Sequence, residues 1–207
     1  MTPRFNPKFR AFGIALAALA IGCALEASAL RAGNSAAPAA PPAERDDAGA
    51  RAAFAAAAPV FYHPRCMNCH PSGDRPLQGD DSHPHAQNVQ RGPHGDGKYG
   101  MKCTTCHQLE NTPGPHMPPG AAVWKLPPPD MPMVIQGKTV HEFCEQLKDP
   151  ARNGGKSLKQ IIEHVSKDKL VGWGWNPGEG RTLPPLSREE FVGDIKLWVQ
   201  KGAACPE

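Results

Sequence analysis

Two copies of Cys-x-x-Cys-His lie in this chain: Cys66-Met67-Asn68-Cys69-His70 and Cys103-Thr104-Thr105-Cys106-His107. A Cys-x-x-Cys pair alone can serve a zinc ribbon, a dithiol redox centre, an iron–sulfur ligand set or haem attachment. The histidine after each pair discriminates among them. With nine histidines in 207 residues, composition alone would place one after both pairs about once in five hundred sequences. Two cysteines three positions apart on a helical turn can bond both vinyl groups of one haem as thioethers, and the next residue then projects its imidazole to the iron. Zinc sites built from two pairs separate them by about 15–20 residues, whereas 33 residues lie between Cys69 and Cys103. A thioredoxin-like site needs a βαβ context that the flanking sequence lacks. Disulfides within the pairs would explain neither histidine. The expectation is two haem c groups, with Cys66, Cys69, Cys103 and Cys106 as thioether anchors and His70 and His107 as proximal iron ligands.

The sixth ligand of each iron has several candidates. Met117, in "HMPPG", stands on a Pro-rich loop and is the favoured thioether, with His116 competing for the same space. Met131 and Met133, in "PPPDMPMV", have the same setting. His164 lies near the apolar face of an expected helix, and His85 lies between the two motifs. Filled sixth positions suit electron carriers, and an open one suits ligand binding or peroxidase chemistry. His63 is too near Cys66 to reach the far side of the same haem easily but could serve the other one, and His83, His94 and His141 read as exposed. Cys144 and Cys205 remain, and in an exported protein such a pair is expected to form a disulfide.

These residues must be positioned by a chain with few periodic stretches in its first half. Residues 58–133 are rich in Pro, Gly and His and show no helix or strand period over "GDRPLQGDDSHPHAQNVQRGPHGDGKYG". A bound cofactor would organise such a loop. From 134 to 207 three segments open with capping boxes: Thr139 with Glu142, Ser157 with Gln160, and Ser187 with Glu190. The helices that follow present Val140, Phe143, Cys144 and Leu147; Leu158, Ile161, Ile162 and Val165; and Phe191, Ile195, Trp198 and Val199. Gly202 is placed to end the last. Trp173 and Trp175 sit in a turn-rich loop, and Asp80, Asp81 and Asp168 read as solvated surface. The fold class expected is mostly α and loop-rich, a dihaem cytochrome c-like domain (58–207) with a C-terminal helical part.

Ahead of it, Arg4, Lys8 and Arg10 precede an Ala-rich apolar run ending Ala27-Ser28-Ala29. That pattern reads as a secretory signal over residues 1–29, hence a periplasmic protein. Lipidation at Cys23 or an uncleaved signal would instead attach it to the membrane. Residues 30–57, Ala- and Pro-rich, read as a linker that turns helical near Arg51–Ala57. The whole chain carries 23 basic and 20 acidic side chains. Without residues 1–29 the balance is 20 to 19, which speaks against a nucleic-acid partner.

The stretch 58–110 resembles the haem-binding part of dihaem c-type cytochromes. Together with "FYHPRCMNCHPSGDRPLQGDD", "CTTCHQ", "MPPG", "QLKDPARNGG" and "LVGWGWNPGEGR", most of the chain after the signal is similar to a family of small exported proteins labelled isoquinoline 1-oxidoreductase subunit. That resemblance implies an electron acceptor for a molybdenum hydroxylase. The function expected is periplasmic electron transfer between redox protein partners, without a substrate pocket and without catalysis of its own. The alternatives are a small dihaem peroxidase-type enzyme, which high-spin five-coordinate iron would favour, and a haem-based ligand-binding protein.

Overall fold

The computed structural model describes residues 45–207, all within one compact unit. The expected signal, Cys23 and the linker as far as residue 44 fall outside the described residues. Asp47–Phe61 forms helix α1, capped by the Asp46 carboxylate, which accepts from the Gly49 amide at 2.8 Å. The helix expected near Arg51–Ala57 is present and begins four residues earlier, at Asp47. Alanine is the strongest helix former, and Ala50, Ala53 and Ala57 recur at helical spacing on the buried face. Their small side chains let a partner helix approach closely. Phe54, Val60 and Phe61 supply the apolar bulk from the same face.

Four further helices follow the loop region: α3 (Val140–Lys148), α4 (Leu158–Lys167), α5 (Lys169–Trp173) and α6 (Arg188–Gln200), with a short α2 (Pro64–Met67) just after α1. All three capping boxes form as expected, with the hydroxyl accepting from the third amide and that residue's side chain accepting from the cap amide. Gly202 ends the last helix with φ +103°. Asp168 is not simply solvated, because its carboxylate caps α5 through the amides of Leu170 and Val171. The only regular sheet among the described residues is an antiparallel ribbon, β1 (Leu77–Gln78) with β2 (His83–Pro84). The chain is thus mostly helical and loop-rich.

The core joins α1 to α3, α4 and α6 around aromatic rings. Phe54 lies 5.0 Å from Trp198, and Phe61 meets Phe143 and Phe191 edge-on, each at 4.9 Å between centroids. The Trp198 indole donates to the Ala204 carbonyl at 3.1 Å. Cys144 and Cys205 are disulfide-bonded, with Cα atoms 5.7 Å apart, and tie α3 to the chain beyond α6. Trp175 packs against Phe191 and donates to the Leu186 carbonyl.

The long loop is organised by polar groups. The Arg91 side chain is 2 % exposed and donates to the Pro127 and Gly73 carbonyls at 2.6 and 2.7 Å. It ties both edges of the loop together. Gly95, at φ +78°, lets the 126–127 segment lie against it, for a Cβ there would sit 2.0 Å from the Leu126 oxygen.

Candidate cofactor-binding site

Each Cys-x-x-Cys-His lies on one helical turn. His63 caps α2, its Nδ1 accepting from the Arg65 amide at 3.3 Å. The turn continues past α2, as the amides of Asn68, Cys69 and His70 donate to the carbonyls of Pro64, Cys66 and Met67. In the second motif a 3₁₀ turn spans Cys103–Thr105, and the His107 amide donates to the Cys103 carbonyl at 2.9 Å. Both cysteines of a pair therefore share a turn with the histidine that follows. The four motif cysteines are free.

Both histidines are held the same way. His70 Nδ1 lies 2.7 Å from the Met133 carbonyl oxygen, and His107 Nδ1 lies 2.7 Å from that of Pro119. A carbonyl can only accept, so each ring carries its proton on Nδ1 and keeps a lone pair on Nε2. This is how a metal-ligating histidine is oriented and made more basic. Burial pushes the His70 ring down to about 4, which keeps it neutral, and lowers His107 for the same reason. Burial also pushes the thiols up, Cys66 to about 12 and Cys69 to about 11.

The two straps have their own supports. The His70 carbonyl accepts from the amides of Ile135 and Gln136, and Ile135 is a core residue. Gln146 of α3 donates to the Val134 carbonyl at 3.0 Å and to Met133 Sδ at 3.2 Å. On the other strap, Asn111 Oδ1 accepts from the Gly120 amide and from the Trp173 indole, each at 3.0 Å, while its Nδ2 donates to the Asn176 carbonyl at 2.8 Å. Gly120 has no room for a side chain, as a Cβ would lie 2.0 Å from the Glu110 oxygen. Trp124 stacks on the His107 ring at 4.4 Å and 8°, and Trp173 meets Trp124 edge-on at 4.9 Å. Arg65, beside Cys66, lies over Trp173 and pairs with Asp80, whose carboxylate also accepts from the Thr182 amide. Asp80 is therefore a structural partner, not merely a solvated acid.

Of the sixth-ligand candidates, His85 faces the second motif, its ring centroid 6.3 Å from that of His107. His164, on α4, faces Asp168 with Nδ1 at 3.5 Å, and its charge bears on His70. Met117 is 42 % exposed, with its Cγ over Gly114 and its carbonyl bound by Arg181. It sits two residues before Pro119, on the strap that holds the Nδ1 side of His107. Met133 is likewise on the Nδ1 side of His70. His63 has both ring nitrogens engaged, the second with Thr182 at 3.4 Å. His83 pairs with Asp81, and His141 with the Pro206 carbonyl.

Haem chemistry fits this arrangement. It needs only an imidazole and two thiols from each turn, and each turn offers them unpaired. A bare zinc ion needs about four converging donors, and among the described residues no group of three or more His, Cys, Asp or Glu side chains is so arranged. Among the described residues no helix is long and apolar enough to cross a membrane. No protein-family model, curated protein or solved structure matches the chain.

Proposed function

We propose that the chain is an electron-transfer protein carrying two covalently attached haem c groups, cytochrome c-like in its haem-binding part. One observation carries the reading. Two Cys-x-x-Cys-His turns each present two free thiols, and each holds its histidine by Nδ1 to a backbone carbonyl at 2.7 Å. Neither a structural disulfide nor a dithiol redox centre needs that histidine.

In this reading Cys66 and Cys69 anchor one group and Cys103 and Cys106 the other. When bound, haem c supplies a one-electron iron couple. The chain's own residues do the rest. His70 and His107 offer Nε2 to the metal, and the Met133 and Pro119 carbonyls keep the tautomer and the ring plane. The raised pKa of Cys66 and Cys69 keeps them as thiols, which slows disulfide formation between them, because exchange proceeds through the thiolate. The thiols of Cys66, Cys69, Cys103 and Cys106 would hold each group by S–H addition across a vinyl double bond, which would form one C–S and one C–H bond and need no oxidant. The aromatic packing of Trp124 shields one face of His107 from water. Export to the periplasm follows from the secretory pattern of residues 1–29, a molybdenum hydroxylase as electron donor follows from the resemblance noted above, and both belong to the same proposal.

The test is expression in a host that attaches haem c. The expected result is a mass increase of two haems that survives denaturation, with reversible one-electron reduction. A product with no covalent haem, or with Cys66–Cys69 and Cys103–Cys106 disulfides, would overturn the proposal.

A further inference from the structure

Among the histidines outside the motifs, His85 differs in how it is held. The ribbon β1–β2 delivers it, and its backbone is fixed on both sides. Its amide donates to the Pro76 carbonyl at 2.9 Å, and its carbonyl accepts from the Arg75 guanidinium, with Nε at 2.9 Å. The side chain is held less firmly, with Gln87 beside it. Its Nδ1 is buried without a hydrogen-bond partner. A buried ring nitrogen without a partner is destabilising, so it calls for a reason.

The ring faces His107, with centroids 6.3 Å apart and planes at 68°. His107 has Nδ1 bound to Pro119 and one face covered by Trp124, so its free functional atom is Nε2. Two imidazoles that bind one metal from opposite sides, each nitrogen about 2 Å from it, have their centroids about 6 Å apart. Direct hydrogen bonding between the rings would bring them closer, and apolar packing would not leave a ring nitrogen bare.

We propose that His85 is the sixth ligand of the iron held by His107, so that this centre is bis-histidine. The proposal rests on the haem reading above and overrides the preference for Met117. His85 also comes from a part of the loop with no regular period, and that explains why so long a segment is wrapped close to the second motif.

The experiment uses the haem-loaded chain and reads mass, absorption and electron paramagnetic resonance together. The wild type is expected to carry two haems, all low-spin. His85→Ala is expected to keep two haems by mass while half of the iron turns high-spin, and added imidazole is expected to restore it. His85→Met is expected to introduce a sulfur-to-iron band at the red end of the spectrum and to raise one of the two midpoint potentials. The proposal fails if His85→Ala retains two haems and stays fully low-spin. It fails equally if Met117→Ala, rather than His85→Ala, turns half of the iron high-spin. A wild type without covalent haem removes the underlying reading and this one with it, and mass alone reveals that case.

Discussion

Asn111 offers a direct measure of how the second motif is held. Its amide is a three-bond junction: Oδ1 accepts from Gly120 and Trp173, and Nδ2 donates to Asn176. Each bond contributes about 0.5–1.5 kcal/mol net. Asn111→Ala removes all three, so the expected loss is about 3 kcal/mol. Asn111→Asp keeps the double acceptor and loses only the donor to Asn176, so its expected loss is about 1 kcal/mol. Urea unfolding followed by tryptophan fluorescence measures both, and Trp173 and Trp124 report the region directly. In melting temperature the alanine variant should lie roughly 6–12 °C below the wild type, at about 2–4 °C per kcal/mol for a chain of this size. On the proposed haem reading the strap also has a redox consequence. A looser Pro119 carbonyl accepts less well from His107 Nδ1, so the ligand is less basic and the midpoint potential of that centre should rise. The His70 centre, strapped by Met133, should not move. An alanine variant within 0.5 kcal/mol of wild type, or an Asp variant as damaged as Ala, would refute the reasoning.

Other expectations follow from the same geometry. Phe54→Ala should cost about 3–5 kcal/mol, because the ring is fully buried against Trp198, Phe61 and Phe143. Exposed Ala55→Gly should cost about 1 kcal/mol, and two silent variants in chemical denaturation would mean that 47–61 is a linker after all. Removing the disulfide with Cys144→Ala and Cys205→Ala should cost about 4 kcal/mol, from closure of a loop of separation 61, with a thermal melt unchanged by reductant as its signature. His70 titrates at about 4 in the fold and near 6.5 when unfolded. The unfolded haem-free chain thus binds more protons between those values, so stability should fall as pH drops from about 6.5 to 4. His70→Gln should flatten that fall, and an unchanged slope in urea midpoints would count against the burial argument.

The helical half was legible because its signals are local. Thr139, Ser157 and Ser187 each name a helix start, and the third residue on completes the box. Cys144 and Cys205 were the pair left after the motifs claimed four cysteines and the expected signal took Cys23. Helix α1 was harder to read, since an Ala-rich stretch has the composition of a linker, and only packing against α6 tells the two apart. The site divided in the same way. Its thiols and imidazoles have sequence signatures. The carbonyls of Met133 and Pro119 have none, because every residue has a carbonyl. Trp124 and Asn111 act through contacts with residues 17 and 65 positions away in the chain, His107 and Asn176, and no spacing rule reaches them.

On the proposed haem reading, the placement of the core has a consequence for the order of maturation. Its helices come from both ends of the described chain, α1 before the motifs and α3, α4 and α6 after them, while the disulfide closes the later part. None of the four motif thiols is needed to form it. The scaffold can therefore assemble first, presenting the region between α2 and α3 as a tethered loop whose ends are already together. Closing that loop costs little more for extra length, so the maturation machinery would meet an accessible strand on a finished frame. Hydrogen exchange on the haem-free chain should find α1 and α6 protected and residues 95–125 open; the reverse pattern would mean that the cofactor comes first and the frame condenses around it.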